Sequence, residues 1–187
     1  MKGKNMTNLK DYLDDDIKTL LEKKDFNFDD FSVSIGNPEI DVIKIAEVLG
    51  CTIKYSFLVS KAGSHNLESK EILVNALDPD YRQRFTIAHE IGHNVYDHGG
   101  VRNRITQDQR ISGEENSFVD ILIERQANDF ASKLLMPKKL LLDVKKHLEE
   151  SNEIRNERQE VTKLAEKFNV SYIAMEYRLK AVKNEQE

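Results

Sequence analysis

"FTIAHEIGHNVYDH", residues Phe85 to His98, holds three of the five histidines of a 187-residue chain within ten positions. His89 and His93 bracket Glu90 in the pattern H-E-x-x-H. Asp78 is a plausible cap and Pro79 suits a first turn, so "DPDYRQRFTIAHEIGHNVYDH" reads as one helix. Residues four apart on a helix share a face, one turn apart, so both imidazoles can reach a single ion. Glu90 lies about 100° round the helix from His89, where it is a poor ligand but can reach a water at the ion. Zinc takes imidazole nitrogens and carboxylate oxygens, and a catalytic zinc keeps one position for water. The stretch therefore points to metal-assisted hydrolysis, with His89 and His93 as ligands and Glu90 as general base. Gly92 removes bulk beside the site at a helix-propensity cost of about 1 kcal/mol, leaving room for a substrate or a neighbouring helix.

Two histidines do not complete a site. Asp97, His98, Glu114, Glu115, Asp120 and Glu124 are the candidate third ligands. Asp97 and His98 follow His93 too closely to fold back onto the ion if the helix continues. Glu114 and Glu115 fall in "GGVRNRITQDQRISGEEN", a stretch with few apolar residues that reads as a loop. Glu124 lies in the helix "SFVDILIERQANDFASKLLM", with Ala127, Asn128 and Ala131 at helical spacing. Small residues let that helix come close, and a glutamate pointing into such a seam is costly without a cation. Glu124 is the expected third ligand; the bland alternative is a solvated glutamate pairing with Arg125 or Lys133. Asn128, one turn on, is expected to hold a hydrogen bond behind a ligand. His98 is a candidate substrate contact, and equally a histidine that meets the helix C-terminal dipole. Tyr96, Tyr172 and Tyr177 read as packing before oxyanion donors.

Around this helix the chain reads as α+β, mainly helical, with a small sheet ahead of the H-E-x-x-H helix. "TNLKDYLDDDIKTLLEKK" places Leu9, Leu13, Ile17, Leu20 and Leu21 on one helical face, with Thr7 or Asn8 as cap. "PEIDVIKIAEVLG" opens on Pro38 and closes on Gly50. "CTIKYSFLV" and "EILVNAL" read as strands, joined by "SKAGSHNLES". After the two central helices come "KKLLLDVKKHLEE" and a helical pair, "VTKLAEKFN" and "SYIAMEYRLKAV". The organisation expected is an N-terminal helix and loop over 1–36, a catalytic domain over 37–150 and a C-terminal helical lobe over 151–187.

A net charge of −5 gives no general affinity for nucleic acid. Cys51 stands alone, so no internal disulfide framework exists, and it reads as a small core residue. The N-terminus has no apolar signal core, and no run approaches the roughly 20 residues of a membrane span. A cytoplasmic protein is expected.

"RFTIAHEIGHNVYDH" followed by "ERQANDFASKLLMP" closely resembles the ImmA/IrrE family of bacterial metallopeptidases. The preceding "IAEVLGCTIKY…EILVNALDPDYRQRF" and the tail "LAEKFNVSYIAMEYRL" are similar too, so the resemblance runs from about Pro38 to Leu179. It implies a zincin-like core with one Zn2+ on His89, His93 and Glu124, and Glu90 as base. It also implies action on helix-turn-helix repressors of phages, mobile elements and stress responses. The chain ends soon after its last helix, which points to the compact mobile-element branch, without the additional C-terminal sensor domain of the radiation-response branch.

The tail also fits a helix-turn-helix, with Ala165, Val170 and Leu179 at the expected spacing and Ser171 as a cap. Residues 157–187 carry six Lys/Arg and six Glu, whereas phosphate contacts need clustered positive charge. DNA binding through 157–182 is thus the weaker reading, and a packing or partner-docking lobe the stronger. The main rival to proteolysis is a non-enzymatic regulator that binds a repressor and displaces it from DNA.

Overall fold

Apolar side chains recur at helical spacing through most of the chain, and seven α-helices form among the residues that the computed structural model describes: 6–58, 61–66, 69–98, 101–105 and 118–185. The fold is α+β and zincin-like, mostly helical with a small β component. It divides into two units, Asp41–Ala131 and the pair Met1–Ile40 with Ser132–Glu187.

Along the chain the elements are β1 (Thr7–Asn8), α1 (Asp15–Glu22), β2 (Ser32–Val33), α2 (Val42–Val48), β3 (Thr52–Ser56), β4 (Lys61–Asn66), β5 (Glu71–Asn75), α3 (Asp80–Val95), β6 (Val101–Ile105), α4 (Phe118–Leu135), α5 (Lys138–Glu150), α6 (Glu157–Phe168) and α7 (Tyr172–Asn184). Asp41 caps α2, its side chain accepting from the Lys44 N–H at 3.0 Å. Four strands then order as β3-β5-β4-β6. β3 and β5 run parallel from Thr52 opposite Glu71 to Ser56 opposite Asn75. β4 is antiparallel to both β5 and β6. Ile72 and Val74 of β5 are fully buried, and α3 packs against α2, β4 and β5. The Asn75 side chain extends the join, accepting from Leu58 and Leu77 N–H and donating to the Leu58 carbonyl.

β4 and β6 fall where loop was expected. "KAGSHN" and "VRNRI" lack the apolar alternation of a half-buried strand, so backbone pairing to neighbours, not side-chain pattern, makes them strands. Cys51 is buried as expected. Burial pushes its thiol up, against the opposing charge of Lys70, and Asn94 Nδ2 donates to Sγ at 3.7 Å.

In the other unit the expected N-terminal helix is broken. Residues 7–8 pair with β2, Leu9–Asp11 form a single 3-10 turn, and α1 starts only at Asp15. Asn8 does cap, but it caps the short turn, accepting from Lys10 N–H at 2.8 Å. The break falls at Asp14, whose backbone is extended. Its carboxylate accepts from the first N–H of α5, that of Lys138, at 2.9 Å, and from Arg178 Nη2. Arg178, on α7, is 2% exposed and also donates to the Met136 carbonyl at 2.9 Å. One carboxylate therefore ties three stretches of this unit together. α6 and α7 are joined by Asn169–Ser171, with Asn169 left-handed and Ser171 capping α7 through the Ala174 N–H.

Removing one partner of a buried ion pair strands the other charge, so Arg178→Ala is expected to cost about 3 kcal/mol of stability. Asp14→Ala should cost a similar amount, and the double variant clearly less than the sum. Urea unfolding of the three variants measures this; strict additivity would show that the pair does not act as a unit.

Candidate metal centre

α3 is buried from Thr86 to Val95 on every side. A helix so enclosed is ordinarily apolar all round. This one carries His89, Glu90 and His93, each 1% exposed. Such groups must find partners within the protein or hold an ion.

α4 brings the partners. A Cβ added at Gly92 would lie 3.1 Å from Ala127 Cα, 3.2 Å from the Ala127 carbonyl oxygen and 3.2 Å from Phe130 Cδ1. Only glycine permits this approach without displacing the α4 backbone, and the small Ala127 side chain lets that backbone come close. One turn before Ala127, Glu124 reaches the histidines. Its Oε2 lies 3.3 Å from His89 Nε2 and its Oε1 3.3 Å from His93 Nε2, while the two Nε2 atoms are 3.0 Å apart. Donor atoms of these three residues all lie within 4.8 Å of one another. The histidine side chains are about 2% exposed and that of Glu124 34%, so the cluster is sealed behind the imidazoles and open beside the carboxylate.

On its far edge His89 Nδ1 meets Asn128 Oδ1 at 3.0 Å. An amide oxygen only accepts, so a neutral His89 carries its proton there and leaves Nε2 bare. Bare imidazole nitrogen and carboxylate oxygens then converge on one point, an arrangement of acceptors that a shared divalent cation satisfies. Two imidazoles and a carboxylate with an open side also match the donor chemistry of a catalytic metal. Burial alone would raise the Glu124 carboxyl. When the facing nitrogens of His89 and His93 are protonated instead of bare, their hydrogen bonds and charge outweigh burial and hold the group well below the usual carboxylate range, the same pull that a shared cation would exert. Glu90 Oε2, on the same helix, is buried and accepts no hydrogen bond from the described residues.

The other expected candidates fall elsewhere. Asp120 lies in the first turn of α4 and outside the cluster. Glu114 and Glu115 lie outside the described residues. α3 stops at Val95, and Asp97 adopts a left-handed backbone with φ 55°. The chain reverses there, so His98 does fold back, onto His93 and not onto the ion position. His98 is 9% exposed, its Nδ1 3.0 Å from His93 Nδ1 and its Nε2 3.2 Å from Gln126 Oε1. Tyr96 stacks on its ring at 5.2 Å between centroids, a packing role. Tyr172 and Tyr177 belong to α7 in the other unit. Gln126 went unnoticed in the sequence, because a glutamine two residues from a ligand carries no periodic signal.

The sequence model of the M78 peptidases, described as the IrrE N-terminal-like domain, matches residues 46–180. The chain belongs to this M78 family. Its match takes in α3 and α4, and so every residue of the cluster. The chain is 29% identical over 104 residues to the radiation response metalloprotease IrrE of Deinococcus radiodurans, an alignment covering 54% of this chain and 29% of that protein. The M78 chain thus spans under a third of that relative's length. In fold it is similar to a Mycobacterium tuberculosis transcriptional regulator, with a TM-score of 0.53 at 16% identity, over 91% of this chain and 48% of the other. Among the described residues, no helix of this M78 member is long and apolar enough to cross a membrane.

Because a Cβ at 92 would press on the α4 backbone from 3.1 Å and force it to give way, Gly92→Ala is expected to destabilise by about 1 kcal/mol, overpacking outweighing the gain in helix propensity. Zinc affinity should fall with it, as Glu124 is pushed from the histidines. Urea unfolding and metal titration of the variant check both, and a variant more stable than wild type would contradict the seam.

Proposed function

We propose that this chain is a zinc-dependent endopeptidase whose substrate is a protein, a helix-turn-helix repressor. The observation that carries the peptidase reading is the buried His89/His93 pair facing Glu124, with Glu90 on the same helix. Family membership and the similarity to a radiation response metalloprotease support it. A zinc ion held by His89, His93 and Glu124 would supply Lewis acidity to a peptide carbonyl and lower the pKa of water. Glu90 takes a proton from the attacking water and returns it to the leaving amine. Asn128 holds the His89 ring in place through Nδ1. The open side beside Glu124 gives an extended peptide its access.

The substrate class rests on the resemblance to the ImmA/IrrE family. One feature of the Met1–Ile40 and Ser132–Glu187 unit favours protein over DNA as the partner of α7. Tyr172, Ile173 and Tyr177 are exposed there, Glu176 pairs with Lys180, and Arg178 is turned inward to Asp14. An outward face of aromatic and aliphatic groups, with its arginine withdrawn, suits a polypeptide better than a phosphate backbone. The same feature fits the rival, a regulator that displaces a repressor without cutting it.

Glu90→Gln separates the two. The variant is expected to keep its zinc and lose at least about a thousandfold in cleavage of a partner repressor, read by gel and mass spectrometry. Cleavage at wild-type rate would refute the mechanism, and derepression surviving without cleavage would favour displacement. Glu124→Ala is expected to release the metal, measured by elemental analysis after dialysis; full zinc occupancy in that variant would remove Glu124 from the ligand set.

A further inference from the structure

A metal-ligating histidine gives one ring nitrogen to the ion and donates the proton on the other to a fixed acceptor, which sets both its tautomer and its orientation. For His89 that acceptor is Asn128 Oδ1. For His93 the atom in this position is another imidazole nitrogen, His98 Nδ1, at 3.0 Å. Two ring nitrogens at that distance share one proton, so one donates and the other accepts.

The surrounding geometry decides which. His93 Nε2 faces the cluster, 3.3 Å from Glu124 Oε1. To ligate a cation it must be bare, so the proton of His93 sits on Nδ1. His98 Nδ1 is then the acceptor, and a neutral His98 carries its own proton on Nε2. That nitrogen faces Gln126 Oε1 at 3.2 Å, an oxygen that only accepts. Backbone geometry holds the relay in register. The left-handed Asp97 closes α3 with two bonds, from Asp97 N–H to the Asn94 carbonyl at 3.2 Å and from His98 N–H to the His93 carbonyl at 3.0 Å. His98 is thus tied to His93 through both backbone and ring.

We propose that His98 and Gln126 are positioning residues for the metal centre. Gln126 fixes the tautomer of His98, and His98 fixes the tautomer and orientation of His93. The inference rests on the metal reading of His89, His93 and Glu124 and adds how one of those ligands is held. It moves His98 from a possible substrate contact to the back of a ligand.

The test is metal affinity of the full chain, by cobalt and zinc titration against a competing chelator, with no substrate required. His98→Phe keeps a ring to stack on Tyr96 but leaves the buried His93 Nδ1–H without an acceptor. His98→Asn loses the ring but sets an amide oxygen close to the Nδ1 position. The relay predicts a loss of about 10- to 100-fold for Phe and of only about threefold for Asn. A role in packing predicts the reverse order, and that order, or wild-type affinity for Phe, overturns the proposal. Gln126 is exposed, so Gln126→Leu leaves the core intact. In nitrogen-15 spectra of the zinc-loaded protein, His98 should be the Nε2–H tautomer, and this preference should weaken in Gln126→Leu. An Nδ1–H His98 in the zinc-loaded wild type, or a preference unchanged by Gln126→Leu, overturns it as well. Failure of the underlying reading looks different: a wild-type chain that takes up neither metal refutes the centre itself.

Discussion

The close approach of α3 and α4 at Gly92 is the constraint on which the cluster of His89, His93 and Glu124 depends. His89 and His93 are brought together by helix geometry alone, since four residues make one turn. Glu124 lies 31 positions beyond His93 in sequence and meets it only because two backbones nearly touch at Ala127. Any side chain at position 92 would widen that gap. The seam also explains why α3 tolerates polar groups on a helix buried all round. They face one another across it, in a medium where charge interacts more strongly than in water, and two of them are backed by Asn128 and His98.

The unit formed by Met1–Ile40 and Ser132–Glu187 solves a different problem with the same economy of groups. Its helices have apolar stripes, and such stripes alone specify burial better than register. Asp14 interrupts the N-terminal helical pattern, satisfies an orphan N–H at the start of α5 and neutralises Arg178 on α7. A buried pair of this kind adds little net stability over an apolar replacement. What the pair does in this unit is join the three stretches at one point. Withdrawing Arg178 has a second effect, since it leaves α7 with an outward face of Tyr172, Ile173 and Tyr177.

Much of this was legible in the sequence. Helical periodicity marks α2 to α7, and Gly50 and Pro137 punctuate them closely, whereas α2 opens at Val42 behind the Asp41 cap and not at Pro38. The ligand spacing in "HEIGH" is visible because it is local. Glu124 could be singled out because the small residues after it advertise a close helix contact. What could not be read is held by long-range partners. β4 and β6 pair with the strands beside them, and their sequences carry no strand pattern that announces it. The break at Asp14 depends on Arg178, more than 160 positions away. Gln126 matters only through the direction in which its amide meets His98.

Helix endings show why the contact between His98 and His93 is not legible in the sequence. Left-handed residues follow α1, α2, α3, α5 and α6, at Asp25, Gly50, Asp97, Asn152 and Asn169. In each case the next residue's N–H returns to a carbonyl inside the helix, as Phe26 does to Leu21, Cys51 to Ala46, His98 to His93, Glu153 to Leu148 and Val170 to Ala165. Glycine announces such an ending; aspartate and asparagine, which tolerate this conformation but also suit other turns, do not. A helix assumed to continue past Tyr96 carries His98 away from His93. A helix reversed at Asp97 sets the two rings edge to edge. The ring of His98 thus reaches His93 through a capping motif that the chain uses elsewhere purely to stop a helix, and the conformation of one aspartate decides whether the two histidines meet.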